Sequence, residues 1–185
     1  MKEAKPCDTP IHIDFLKHMN EESETFKDNT LYRSVVGSLL YIANWTRPDS
    51  LLAVNLLSRH VSDPEMYHWE GVKRVLRYLK HSMDAYLNLE SEMSKEPILI
   101  SYADANWAGD TKSRKSTSGY VFLINGCPVH WYTGKQNLIA TSTAKAEYIC
   151  LSKAANNLTW FDDLLTSIWT EPAYPIVIHE DNKQP

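Results

Sequence analysis

Cysteine is scarce in this sequence. The 185-residue chain has three, Cys7, Cys127 and Cys150, far apart, with no C-x-x-C pair and no histidine pair at zinc-ligand spacing. A disulfide framework and a zinc finger are excluded, and a reducing compartment fits best. Six glycines and nine prolines are too few for a collagen-like or Gly-rich disordered chain. No uninterrupted apolar run approaches the length of a membrane span, and the stretch from Met1 to Pro6 lacks the apolar segment of a signal peptide. The expectation is a soluble, intracellular protein. Positive charge is not in excess either: 19 Lys and Arg stand against 23 Asp and Glu, a net charge of −4. Nucleic-acid binding would therefore need a local basic face, because counterion release follows the phosphates contacted and not the total charge.

What the chain does have is a core. With 43% hydrophobic residues, a chain of this size buries roughly 70% of the surface its unfolded form exposes. Residues 1–30 are polar, with the acidic cluster Glu21-Glu22-Ser23-Glu24 and no sustained period, and read as an irregular lead-in. From Leu31 the apolar positions Tyr32, Val35, Val36, Leu39, Leu40 and Ala43 trace one helix face, predicting a helix over 31–44. Thr46-Arg47-Pro48-Asp49 starts a second helix, running to about Val61, and Asp63-Pro64-Glu65 starts a third with a buried stripe of Trp69, Val72, Val75, Leu76 and Leu79.

The third helix gathers Lys73, Arg74, Arg77 and Lys80 on its other side. Two readings stay open: a solvated helix face, or a surface that tracks phosphates. A second basic group, Lys112, Arg114 and Lys115, falls in a loop.

Beyond Tyr86 the period changes. Tyr86-Leu87-x-Leu89 and Ile98 to Tyr102 predict two strands. Gly119–Ile124, then Asn125-Gly126, then Pro128–Tyr132 is a hairpin signal, since Asn-Gly supplies the left-handed backbone of a tight turn. Helical spacing returns over 143 to about 169, with Asn156-Asn157 a weak point in the middle. Pro172 and Pro175 close that helix before a last strand at Ile176-Val177-Ile178.

Three acids stand out. Asp104 follows the apolar run 98–102, Glu147 lies in the first turns of the long helix, and Asp181 follows Ile176-Val177-Ile178. Carboxylates crowded at strand ends repel one another unless a hard divalent cation relieves them, and Mg²⁺ takes one or two carboxylates plus waters and phosphate oxygens. Two such ions suit phosphodiester hydrolysis. The alternative is that each acid caps a helix or ends a strand in solvent.

The surrounding words carry a resemblance. Tyr32 to Tyr41, Thr46-Arg47-Pro48-Asp49 and Lys73 to Lys80 resemble the end of a copia-type retrotransposon reverse transcriptase and its connection to ribonuclease H. Tyr102-Ala103-Asp104-Ala105-Asn106-Trp107-Ala108-Gly109-Asp110, Ser116 to Phe122, Ser142 to Tyr148 and Asp181-Asn182 are similar to that family's ribonuclease H domain.

The resemblance implies an α/β (α+β) chain: lead-in 1–30, helical connection segment 31–84, and over 85–185 a C-terminally incomplete ribonuclease H-like fold with mixed sheet, hairpin and long helix. It implies two-metal hydrolysis of RNA in RNA·DNA hybrids, with Asp104, Glu147 and Asp181 as catalytic Mg²⁺ ligands (or Mn²⁺). The remainder of the polyprotein is the implied partner, and a cytoplasmic virus-like particle or the nucleus the implied location.

Three departures from the family pattern matter. The family continues past the Asp-Asn word to a fourth metal ligand, so the isolated chain is expected to be weak or inactive; a non-catalytic hybrid-binding module and an unselected remnant are the alternatives. Lys145 and Asn106 stand where family members usually carry acids. With glutamate at 145, Ser142-x-x-Glu would be a capping box, and lysine instead sets a cation against the positive end of the helix.

Overall fold

Asp28 opens the first helix, α1 (Asn29–Trp45), by accepting a hydrogen bond from the Leu31 backbone N–H at 2.9 Å. In this computed structural model, residues 4–12, 15, 23–90, 98–168 and 176–181 are described. The chain divides into two compact units, Met1–Leu87 and Asn88–Pro185. The sequence features at Glu21-Glu22, Pro97, Pro172, Pro175 and Asn182 lie outside the described residues.

In the first unit, α1 buries Tyr32, Val36, Leu39 and Ala43, and the Tyr32 hydroxyl donates to the Leu57 carbonyl at 2.9 Å. A short 3₁₀ turn, Pro48–Ser50, leads into α2 (Leu51–Ser58). This helix stops short of Val61 because Arg59 and His60 donate to the carbonyls only three residues back, tightening its last turn. Helix α3 (Met66–His81) starts at Glu65, whose backbone N–H donates to His68 Nδ1 at 3.0 Å, so a buried histidine completes the capping box. Of the expected α3 stripe, Val72 and Val75 are fully buried; Trp69, Leu76 and Leu79 are only half-buried.

The Arg-Pro-Asp word works as a tie between elements. Arg47 grips Asp49 and also donates to the Ser82 carbonyl and hydroxyl at 2.9 and 2.6 Å, while the Tyr78 hydroxyl donates to Asp49. Burial opposes the Asp49 charge, but the Arg47 and Tyr78 hydrogen bonds outweigh it and hold the carboxyl below its usual range. Of the lead-in, Phe15 is helical and Asn29 and Thr30 already belong to α1, while Phe26 stacks on Trp69 at 4.7 Å and Met66 N donates to the Glu24 carbonyl.

The strand expected at Tyr86–Leu89 is absent. Residues 85–90 have no regular structure, and Tyr86 and Leu89 are 85% and 65% exposed. Apolar residues at 86, 87 and 89 do not keep the two-residue period, and among the described residues no strand pairs with them.

The second unit is a four-stranded mixed sheet with one long helix, an α/β arrangement. Strands β1 (Leu99–Asn106), β2 (Thr117–Ile124), β3 (Cys127–Lys135) and β4 (Val177–His179) lie in the order β3-β2-β1-β4; β4 is parallel to β1 and the other pairs are antiparallel. Asn125 and Gly126 join β2 to β3 with φ of 51° and 80°, the doubly left-handed turn that Asn-Gly favours. Alternate β1 residues Leu99, Ser101, Ala103 and Ala105 are buried, and with Tyr120 and Phe122 they form a core with Ala146, Cys150, Ala154 and Leu158 of α4 (Thr143–Ile168). Asn156-Asn157 does not interrupt α4, since the Asn157 amide turns back to donate to the Lys153 carbonyl. Residues Tyr102 and Asp104 point to the opposite face of the sheet, beside Val121 and Gly119 of β2. No helix of the described residues is long and apolar enough to cross a membrane.

Candidate active site

The parallel ladder between β1 and β4 ends at the pair Tyr102↔His179, whose rings stack at 4.9 Å. Asp104 and Asp181 each stand two residues beyond that last pair. Asp104 therefore lies inside its strand and not after it, but just where the parallel pairing of β1 with β4 stops. Both aspartates, with Glu180, line an open cleft of about 590 Å³ over the stacked rings. Glu147 is not part of that lining.

Glu147 stands on the long helix, α4. It is 8% exposed; the Ala105 backbone N–H hydrogen-bonds its carboxylate, and Oε2 is buried without a hydrogen-bond partner. Burial, then repulsion from Asp104, Glu180 and Asp181, pushes its pKa up to about 7. Asp104 and Asp181, the other two predicted acids, thus both act on Glu147 through their charge. Ser142 caps the helix that carries Glu147, its Oγ accepting from Lys145 N at 3.2 Å, while Lys145 cannot return the reciprocal bond.

A divalent ion suits this donor set. All the groups are hard oxygen donors, one buried oxygen lacks a partner, and Mg²⁺ needs only one or two protein carboxylates. Among the described residues no three His, Cys, Asp or Glu side chains form a ready-made metal cage. Asp104 and Glu147 are the residues that would hold the ion, with Asp181 beside them.

The basic candidates fall into two groups, one in each unit. On α3, Lys73 is paired with Glu70, Arg74 donates to Thr9 Oγ1 at 2.9 Å, Arg77 is half-buried and Lys80 is exposed. In the β1–β2 loop, Lys112 and Arg114 are exposed and Lys115 is half-buried. Asp110 braces this loop by accepting from Ser113 N at 2.7 Å, Ser113 Oγ at 2.9 Å and Lys135 Nζ at 2.5 Å. Burial opposes its charge, but those donors prevail and lower its pKa to about 2.

Neither a family model nor a solved structure matches the chain. Curated relatives do. Over 98% of its length it is 37% identical to the retrovirus-related Pol polyprotein from transposon RE2 of Arabidopsis thaliana. Over 91% it is 38% identical to that from transposon TNT 1-94 of Nicotiana tabacum. It is 46% identical to secreted RxLR effector protein 161 of Plasmopara viticola, covering 71% of this chain and 92% of that protein.

The chain is homologous to a segment of the retrovirus-related Pol polyproteins of transposons. It spans 12% and 13% of the length of these two Pol polyproteins. In this Pol homologue, sequence reasoning missed three residues at the site. Glu180 was hidden as the neighbour of Asp181. Cys150 donates its thiol to the Asp104 and Gly119 carbonyls at 3.1 and 3.3 Å, and its spacing in the apolar stripe marked it only as core. Gln136, a buried polar residue at a strand end, gave no signal at all.

Proposed function

We propose that the second unit is the ribonuclease H-type part of a retrotransposon Pol polyprotein, hydrolysing the RNA strand of an RNA·DNA hybrid with Mg²⁺ or Mn²⁺. The observation that carries this reading is that Asp104 and Asp181 line one cleft at the end of the parallel ladder, while the charges of both act on Glu147, whose buried Oε2 has no partner. When bound, divalent ions supply charge neutralisation and an activated water for phosphodiester hydrolysis. Asp104, on β1, and Asp181, two residues past the end of β4, would orient the ion and the phosphate. Glu147, fixed by the Ala105 N–H, would take the ion on its free oxygen, and ion binding would favour its ionised form.

The first unit is proposed as the connection segment preceding that domain, with the rest of the polyprotein as its partner, in a cytoplasmic virus-like particle or the nucleus. Hybrid cleavage that requires added Mg²⁺ or Mn²⁺ and is lost in Asp104→Asn supports the reading; cleavage unaffected by chelation contradicts it.

A second reading is a non-catalytic hybrid-binding module. What favours it is the braced loop, where Asp110 presents Lys112 and Arg114 to solvent. Salt-sensitive, sequence-independent hybrid affinity without cleavage is its signature.

A further inference from the structure

Gln136, one residue past β3, is 5% exposed, and its Nε2 donates to two acceptors at 2.9 Å: Ser118 Oγ on β2 and the Ala146 carbonyl on α4. The Ala146 carbonyl and the Glu147 N–H belong to one planar peptide unit, so this bond holds the peptide from which the Glu147 side chain departs. At its other end, Ser118 adjoins Gly119, the Cα partner of Asp104 in the β1–β2 ladder. One amide therefore connects the strand behind Asp104 with the first turn of α4. The backbone N–H of Gln136 donates to the Ser116 carbonyl at 2.8 Å and fixes the side chain's origin.

We infer that Gln136 is a positioning residue that sets where Glu147 stands against Asp104; the inference rests on the hydrolase reading above. Asp104, Glu180 and Asp181 each repel Glu147, and the element freest to yield is the first turn of α4, where backbone groups have few intrahelical partners. The Cys150 thiol holds that helix to β1 and β2 one turn later and the Ala105 N–H holds the Glu147 carboxylate, while Gln136 holds the backbone from which the Glu147 side chain departs. Its own Oε1 is buried without a partner, a cost that an apolar core residue of the same volume would not incur.

The test compares the full chain with Gln136→Met and Ser118→Ala, folding being checked by near-ultraviolet circular dichroism. Two readouts are taken: binding of Mn²⁺ alone by calorimetry, and kcat and KM on a labelled hybrid. In Gln136→Met, kcat should fall about 10- to 100-fold with weakened Mn²⁺ binding, as expected of a carboxylate displaced by about 1 Å. KM for the hybrid should stay within about twofold, since no substrate contact is removed. Ser118→Ala keeps the Gln136–Ala146 bond and should retain most of kcat. If Gln136→Met does not fold, Gln136→Asn replaces it with the same expectation, because its amide is one methylene too short to reach Ala146. A wild-type chain that binds Mn²⁺ and cleaves, with a folded Gln136 variant equal to it or altered in KM alone, overturns this inference. A folded wild-type chain that neither binds Mn²⁺ nor cleaves overturns the hydrolase reading and this inference with it.

Discussion

The backbone N–H of Ala105 hydrogen-bonds the carboxylate of Glu147, and Ala105 directly follows Asp104. One hydrogen bond thus tethers a helical glutamate to the strand that carries the aspartate. The arrangement works against stability, because two carboxylates are held together where one is buried.

Its first consequence is a pH-dependent cost. A carboxyl raised from 4.5 to about 7 binds more protons folded than unfolded between those values. Stability is then complete below about pH 4.5 and falls as pH rises toward 7, by at most about 3 kcal/mol. In chelator, Glu147→Gln should raise the unfolding free energy of the second unit by about 1–3 kcal/mol at pH 8 and leave it nearly unchanged at pH 4. Urea titrations at the two pH values check this; equal effects at both would contradict it.

Asp110 works in the opposite sense. Its pKa is lowered from 3.8 to about 2, so its contribution is present above pH 3.8 and lost as pH falls through 2. Asp110→Asn should cost about 1–2 kcal/mol at pH 7 and about half of that at pH 3. Chemical denaturation at both pH values reads the difference.

The N-terminus of α4 is half-capped. Ser142→Ala should cost about 1 kcal/mol by removing the acceptor for Lys145 N. Lys145→Glu should gain up to about 1 kcal/mol by closing the box and matching the helix dipole. Equilibrium unfolding of the two single variants measures both; a loss on Lys145→Glu would show that repulsion from the acids outweighs the cap.

In the first unit, a Cβ on Gly71 would lie 2.5 Å from the Phe15 ring and 2.8 Å from Leu57. Gly71→Ala should therefore destabilise by about 1–3 kcal/mol despite the better helix propensity of alanine. A thermal transition raised by the substitution would contradict the packing.

The two basic groups should differ in hybrid binding. Lys73 is already paired with Glu70, whereas Arg114 stands exposed on a braced loop. Arg114→Glu should lower the slope of log K against log salt by about 1 or more, and Lys73→Glu should change it less. Fluorescence anisotropy over a salt series distinguishes them.

Much of this was legible in the sequence. Asn125-Gly126 specified its turn, the short apolar run at Ile98 to Tyr102 specified a strand, and the apolar spacing of α1 and α4 specified their helices. The acids were found through the words around them, since spacing alone left them as possible strand ends. The strand expected at Tyr86–Leu89 failed because a strand needs a partner, which local pattern does not supply. Gln136 and the Ala105–Glu147 bond were invisible because both depend on which backbone groups the tertiary fold leaves unpaired. Lys73 looked free only because its pairing with Glu70 is a matter of rotamer and not of period.

The most direct measurement is cleavage of a labelled RNA·DNA hybrid in Mg²⁺ or Mn²⁺ by the folded chain and by its Glu147→Gln variant. Weak, metal-dependent cleavage of the RNA strand is expected of the former and none of the latter. Cleavage that survives Glu147→Gln unchanged, or a folded wild-type chain that neither binds Mn²⁺ nor cleaves, would contradict the hydrolase reading.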